Sequence, residues 1–183
     1  MIKKHLFVFV CAFSSFAVMA QGHKGSVSDC APMKRGKVCY TDMVEMPGLS
    51  RDKLFDLIDV WARNNYGKDV FMSNVNSNKL KRTVLVSSKV ELLLNDSTKT
   101  FLSYKMFITC EENKYTSEVR DIVYQYDAKN NKRFKTYRAE EVIADNGASN
   151  TASTIKDPVL FCNATFFFVE NLFAEVNQSV KLK

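Results

Sequence analysis

The stretch "VEMPGLSRDKLFDLIDVWARNNYG", residues 44–67, decides the fold. It joins the end of a strand to a turn, and the turn to a capped amphipathic helix. Pro47-Gly48 stops the extended run. Ser50 is a good N-cap, although Lys53 stands where a Glu would complete a capping box. Asp52 in the first turn suits the positive end of the helix dipole. Leu54, Leu57, Ile58, Trp61 and Ala62 recur at helical spacing, flanked by Phe55 and Tyr66. Asp56, Asp59 and Arg63 lie away from their centre. Gly67 supplies a stop. A lone exposed stripe with a Trp at its middle would invite aggregation. Burying it is worth roughly 1.5–3 kcal/mol per large side chain. The stripe is therefore predicted to pack on a sheet, with a partner's groove as the other reading.

The sheet is readable on both sides of this helix. Upstream, "KVCYTDMVEM" (37–46) places Val38, Tyr40, Val44 and Met46 on one face, with Asp42 as the exception. Downstream, "KDVFMSNVN" and "LKRTVLVSSKVELLL" read as two strands turning at Asn76-Ser77-Asn78. In the second, Val84, Val86, Val90, Leu92 and Leu94 share one face, and Thr83, Ser87, Lys89 and Glu91 share the other with Leu85 and Leu93. After the turn "NDST", "KTFLSYKMFITC" sends Leu102, Tyr104, Met106, Ile108 and Cys110 one way, and Ser103, Lys105, Thr109, Phe101 and Phe107 the other. "EEN" turns again into "KYTSEVRDIVYQY", whose alternation breaks near Arg120-Asp121 and predicts a bulge or an edge.

Residues 127–156 read as a long polar loop, functional or a tolerated insertion, with a short strand or turn around "YRAEEVI". A last helix opens at Asp157-Pro158. Cys162, Phe166, Val169, Phe173, Val176 and Val180 form its apolar seam, widened by Phe161, Phe168 and Leu172; Leu160 and Phe167 lie nearly opposite.

The N-terminal "MIKKHLFVFVCAFSSFAVMAQG" has two lysines, an apolar run and permissive residues before Ala20/Gln21. It reads as a secretory signal peptide over residues 1–20, in preference to an uncleaved anchor or lipoprotein processing at Cys11. No other segment is expected to span a bilayer. Residues 21–36 are expected as a flexible lead-in and 37–183 as a single domain. Removing Lys3 and Lys4 from the 26 Lys and Arg leaves 24 against 20 acidic residues, too mild an excess for a nucleic-acid binder. Cys30, Cys39, Cys110 and Cys162 remain; they read either as two disulfides or as buried thiols. As disulfides, the expected pairs are Cys110–Cys162 inside the core and Cys30–Cys39 closing a small loop.

Element order (strand, helix, four strands, helix) gives an α+β two-layer domain, an antiparallel sheet of about five strands with two helices on one face. Three blocks, "VEMPGLSRDKLFDLIDVWARNNY", the strand pair ending "VLVSSKVEL", and "YKMFITCEENKYTSEVRDIVYQY", carry a resemblance. The chain resembles the secreted Bacteroides-type bacterial family whose domain of unknown function has a TATA-binding-protein-like (TBP-like) fold. The family's pattern often has a Gly in the last hairpin turn, where this chain has Glu111-Glu112-Asn113. The resemblance implies the fold. It implies neither catalytic residues nor DNA binding.

The chemistry is mostly one of exclusion. His5 falls in the signal segment and His23 in the lead-in, so neither a nucleophile–His pair nor a His metal site has a base in the core. No Gly-rich phosphate loop, calcium loop or CxxC is present, so no cofactor or metal is expected. Glu118, Asp121, Glu140 and Glu141 are the candidates for carboxylate acid–base work, against the reading of solvated acids. Lys129, Lys132, Arg133, Lys135 and Arg138, interleaved with Phe134 and Tyr137, suit an anionic lipid headgroup or glycan, or a solvated loop. Leu85, Leu93, Phe101 and Phe107 on the outer sheet face, with Leu160 and Phe167 on the last helix, are the candidate partner contacts, unless the long loop covers them. The expected function is a non-enzymatic binding or assembly module of the cell envelope. A carrier of a small apolar ligand between sheet and last helix is the alternative, and a carboxylate hydrolase is the third.

Overall fold

The structure, a computed structural model, describes residues 30–68, 72–127, 133–144, 155 and 157–181. The elements are β1 (Met33–Lys34), β2 (Lys37–Val38), β3 (Tyr40–Glu45), α1 (Arg51–Tyr66), β4 (Ser73–Asn78), β5 (Thr83–Leu93), β6 (Lys99–Glu111), β7 (Lys114–Tyr126), β8 (Lys135–Arg138), α2 (Ala139–Val142) and α3 (Pro158–Lys181). The main sheet is antiparallel, ordered β3-β7-β6-β5-β4, with β8 also paired to β7. β3 takes the first half of β7's outer edge (Tyr40 opposite Val119) and β8 the second (Val123 opposite Arg138). The fold is α+β, as the element order predicts.

The period-two faces hold. Val84, Val86, Leu102, Tyr104, Met106, Ile108, Tyr115, Val119, Ile122 and Tyr124 are buried on one face of the sheet. Both long helices pack there. α1 buries Leu54, Phe55, Leu57, Ile58, Trp61 and Ala62, so the stripe that opens the sequence is core. Ser50 Oγ accepts the Lys53 N–H at 3.3 Å. A Cβ on Gly67 would stand 2.6 Å from the Arg63 carbonyl oxygen, so only glycine closes the helix this tightly. α3 buries Cys162, Val169, Phe173, Val176 and Val180 along its seam. Its Phe161 and Phe168 meet Tyr124 and Tyr104 edge-on at 5.1 and 5.2 Å. Contrary to expectation, α3 is by length and composition apolar enough to cross a membrane. The same apolar content is what lets it lie across the sheet.

Two turns tie the resembling blocks together. Asn113 takes φ 60°, a left-handed conformation that Asn tolerates. Its side-chain oxygen accepts the Gly48 N–H at 2.9 Å, and its carbonyl accepts the Met46 N–H at 2.7 Å. The Pro-Gly turn and the β6–β7 turn are thus one joint.

Several expectations need correction. The predicted turn at Asn76-Ser77-Asn78 is strand; these residues pair with Leu85, Val84 and Thr83, and the chain turns at 79–82. There the Asn78 side chain accepts the Lys81 N–H. Residues 30–36 of the lead-in are not a free tail. Met33–Lys34 and Lys37–Val38 form a hairpin around Arg35 and Gly36, both at positive φ (53° and 75°). The 127–156 loop carries β8 and α2, and buries Val142, Ile143, Ala144 and Ile155. The disulfide is Cys30–Cys162, Cα–Cα 5.7 Å, and Cys39 and Cys110 are buried free thiols. The expected pairs fail on geometry. Phe161 packs against Tyr124, which pairs with Leu102. Cys110 is eight residues further along β6, about 26 Å away at about 3.3 Å per residue.

Candidate functional site

With the helices on one face, the other face of the sheet is open. Register places Asn76, Leu85, Phe107, Glu118 and Thr41 in one row, and Asn74, Ser87, Lys105 and Arg120 in the next. Leu85 and Phe107 stand directly opposite each other. The Arg120 guanidinium lies over the Phe107 ring, 4.0 Å from its centroid. Arg120 Nε is buried there with no hydrogen-bond partner. Further along, Lys89 Nζ lies 4.9 Å from the Phe101 centroid and donates to Gln125 Oε1 at 2.6 Å. Phe134 packs on the same Phe101 ring at 5.9 Å. Three of the four predicted outer-face contacts therefore fall in two centres, Leu85 with Phe107, and Phe101 with Phe134 of the basic run. Leu93 lies at the end of its strand, 66% exposed. On α3, Phe167 is exposed and Leu160 packs partly against the core. These two stand on the helical layer, apart from the open face.

The predicted irregularity in β7 is a bulge. Register slips between Ser103 and Lys105, and Asp121 takes φ 54°. The bulge aims Asp121 out of the sheet, where it accepts from Lys37 Nζ at 2.8 Å and pairs with Lys105 Nζ at 3.3 Å. The Lys37 bond, aided by Lys105, holds its carboxyl below the usual carboxylate range despite partial burial. Beside it, Glu118 pairs with Lys34.

At the sheet edge the β1–β2 hairpin, the bulge and α2 enclose a cleft of about 390 Å³. Lys37, Asp121, Val123, Arg138, Glu140 and Glu141 line it. Glu140 Oε1 accepts the Val38 N–H at 2.9 Å and so holds the hairpin to α2. Glu141 Oε2 accepts the Arg138 N–H at 3.1 Å and caps α2. Three of the four candidate carboxylates thus meet; Glu118 does not line the cleft. Asp121, held ionised, is unsuited to be a general acid, which needs a raised pKa.

A second depression, about 330 Å³, lies on the open face beside Ser87, Ser103, Lys89 and Lys105. Neither cavity lies between the sheet and α3, where a carried ligand is expected. Of the basic run, Lys129 and Lys132 lie outside the described residues. Lys135 and Arg138 are in β8, whose Tyr137 is buried. Among the described residues, no group of three His, Cys, Asp or Glu side chains is placed to hold a metal.

Residues 40–125, from β3 through β7, match the family model described as a domain of unknown function (DUF4468) with TBP-like fold. A TBP-like protein from Parabacteroides distasonis, known as a crystal structure, is 64% identical over 83% of this chain and 97% of its own, with a TM-score of 0.79. This chain belongs to the DUF4468 family. A DUF4468 protein from Bacteroides ovatus, 22% identical over 84% of this chain and 91% of its own, shares the fold at a TM-score of 0.72. No curated protein matches the chain. The DUF4468 match ends before α2 and α3, and begins after the hairpin. The cleft is therefore built partly from residues outside the matched segment, which is why pattern reading missed it. The one signal available was the "KRGK" turn at 34–37, a Gly placed where a tight hairpin wants it.

Proposed function

We propose that this DUF4468 chain is an exported, non-enzymatic module of the cell envelope that docks an envelope protein on the open face of its sheet. One observation carries the reading. Leu85 and Phe107 form an apolar cross-strand pair, capped by Arg120, on the face that both long helices leave free. Apolar contact beside an under-satisfied guanidinium favours a partner surface that pairs apolar groups with carboxylates. Lys89 and Lys105 extend the same positive character. Nucleic acid is not the proposed partner, since the fold's name carries no activity.

The signal-like segment, residues 1–20, lies outside the described residues. Export is supported by the Cys30–Cys162 disulfide, which suits an oxidising compartment.

The test places a photo-crosslinking residue at Ser87 in cells of the source organism, with Val60 on the far side of α1 as control. The expected result is one discrete adduct from position 87 and none from 60. Phe107→Glu should abolish it while the unfolding midpoint stays near that of the parent. Labelling that is equal at both positions, or unchanged by Phe107→Glu, would reject the open face as the docking surface.

A further inference from the structure

β4 is an edge strand, paired to β5 alone. The Lys89 N–H donates to the Met72 carbonyl at 2.8 Å, which fixes the way the β4 backbone points. With Ser73 opposite Ser88, Asn74, Asn76 and Asn78 are the residues that bond β5. The N–H and C=O of Val75 and of Ser77 therefore turn outward, and no described strand lies beyond to take them. Free edges are usually guarded by charge, proline or a bulge. β3 carries Asp42 and Glu45, and β8 carries Lys135 and Arg138. β4 has no charged residue and no proline, and its register with β5 is unbroken. On the open face it presents Asn74, Asn76 and Asn78, all exposed. On the helix face, Ser77 Oγ donates to Asp59 and accepts from Arg63 Nη2 at 3.3 Å. Ser73 Oγ donates to the Tyr66 carbonyl at 2.6 Å, so α1 runs antiparallel to β4 along this edge.

We infer that β4 pairs with β4 of a second copy of this chain, antiparallel, about a two-fold axis at Asn76. A two-fold interface must be self-complementary, and this edge is. The axis sets Val75 opposite Ser77 of the second copy, and Ser77 opposite its Val75, so each outward N–H meets an outward C=O. It also sets every open-face asparagine of β4 against an asparagine: Asn76 against itself, and Asn74 against Asn78. Their amides donate and accept equally well, so like side chains can pair. Centring the axis on Val75 would instead leave Asn78 facing Met72. On the helix face the axis inverts the Asp59–Arg63 order, so unlike charges meet across it. The two sheets become one, and their open faces one surface.

Sedimentation equilibrium of the full chain, disulfide intact, tests this. A reversible monomer–dimer exchange at micromolar concentration is expected, since a strand-pair interface is small. Asn76→Lys sets like charges across the axis and should weaken the dimer at least about tenfold. Its exposed position leaves the unfolding midpoint near that of the parent. Cross-linking reads the register. At the axis the two copies of residue 76 form a non-hydrogen-bonded pair with Cα atoms about 4.5 Å apart, within disulfide reach. The two copies of residue 74 stand about 13 Å apart, out of reach. Oxidised Asn76→Cys should therefore run as a covalent dimer and Asn74→Cys as a monomer, while Asn74→Cys mixed with Asn78→Cys should cross-link. Cys39 and Cys110 are buried and take no part. A chain that stays monomeric up to about 500 μM would overturn the pairing. So would Asn76→Lys dimerising as tightly as the parent, or Asn74→Cys cross-linking as readily as Asn76→Cys. A failure of the open-face docking leaves these readings untouched.

Discussion

At Asp121 one residue serves backbone and charge together. Its φ of 54° is a left-handed conformation that Asp and Asn tolerate and that costs most other side chains about 1–2 kcal/mol. The same bulge turns its carboxylate towards Lys37 and Lys105. The two roles separate by substitution. Asp121→Asn keeps the tolerance and loses the charge; because the pair is solvent-screened, about 0.5 kcal/mol should be lost. Asp121→Ala loses both, and should cost about 1–2 kcal/mol more than Asn does. Urea unfolding of the two variants reads the difference. Equal losses would mean that the bulge stores no strain at this residue.

At the scale of elements, the Cys30–Cys162 bond fastens the β1–β2 hairpin to the start of α3. It closes a separation of 132 residues. The hairpin is otherwise held by Glu140's bond to Val38, by surface pairs from Lys34 and Lys37, and by the Tyr40 hydroxyl donating to the Cys30 carbonyl at 2.7 Å. A loop this long makes the cross-link worth about 3–5 kcal/mol through the unfolded chain. Cys30→Ser with Cys162→Ser should lower the unfolding free energy by that amount. It should also open Lys34, Arg35 and Lys37 to trypsin while β5–β7 stay protected. Uniform proteolysis across the chain would show that the hairpin is not a separate unit. This element also marks the limit of what the sequence discloses. α1, β5, β6 and α3 are long enough for their periods of 3.6 and 2 to be read, and each buries the predicted face, while in β7 it is the break in alternation that is readable. β1, β2, β8 and α2 run two to four residues, too short to show any period. Of these, β8 satisfies backbone on the edge of β7 that β3 leaves unpaired. The disulfide failed for a related reason: even parity allows a bond, but only the docking of α3 over Tyr124 selects its partner. The carboxylates were legible as a group, yet only the fold brings 121 to within reach of 140 and 141.

Over the whole molecule, titration works in opposite directions at the two ends of the pH scale. The carboxyls of Asp52, Asp59 and Asp121 all sit below their usual range. Asp52 is drawn down by its bond to Arg82. At Asp59 burial works the other way and is outweighed by bonds from Arg63 and Ser77. At Asp121 the Lys37 bond dominates. Their contribution is present above the unfolded value near pH 4 and is lost as pH falls through the folded one. The core does the reverse. Burial pushes the phenols of Tyr40, Tyr104, Tyr115 and Tyr124 upward, and pushes the Cys110 thiol up to about 12. Tyr124 shows why the neutral form is held. Thr165 Oγ1 spends its proton on the Phe161 carbonyl at 2.7 Å, so it must accept from the Tyr124 hydroxyl, also at 2.7 Å. A phenolate there would lose that bond and be left without solvent. Groups that keep their protons in the fold and release them when unfolded stabilise fully below the unfolded pKa and progressively less above it. The decline should begin near pH 8.5 with Cys110 and steepen past about pH 10 as four phenols join, each adding up to about 1.4 kcal/mol per pH unit. The unfolding free energy from urea titration should hardly move from about pH 6 to 8 and then fall by several kcal/mol by about pH 11. Cys110→Ala should remove only the early part. A flat profile through pH 11, with tyrosinate absorbance rising in the folded protein, would mean that these phenols ionise in place and that the core admits water.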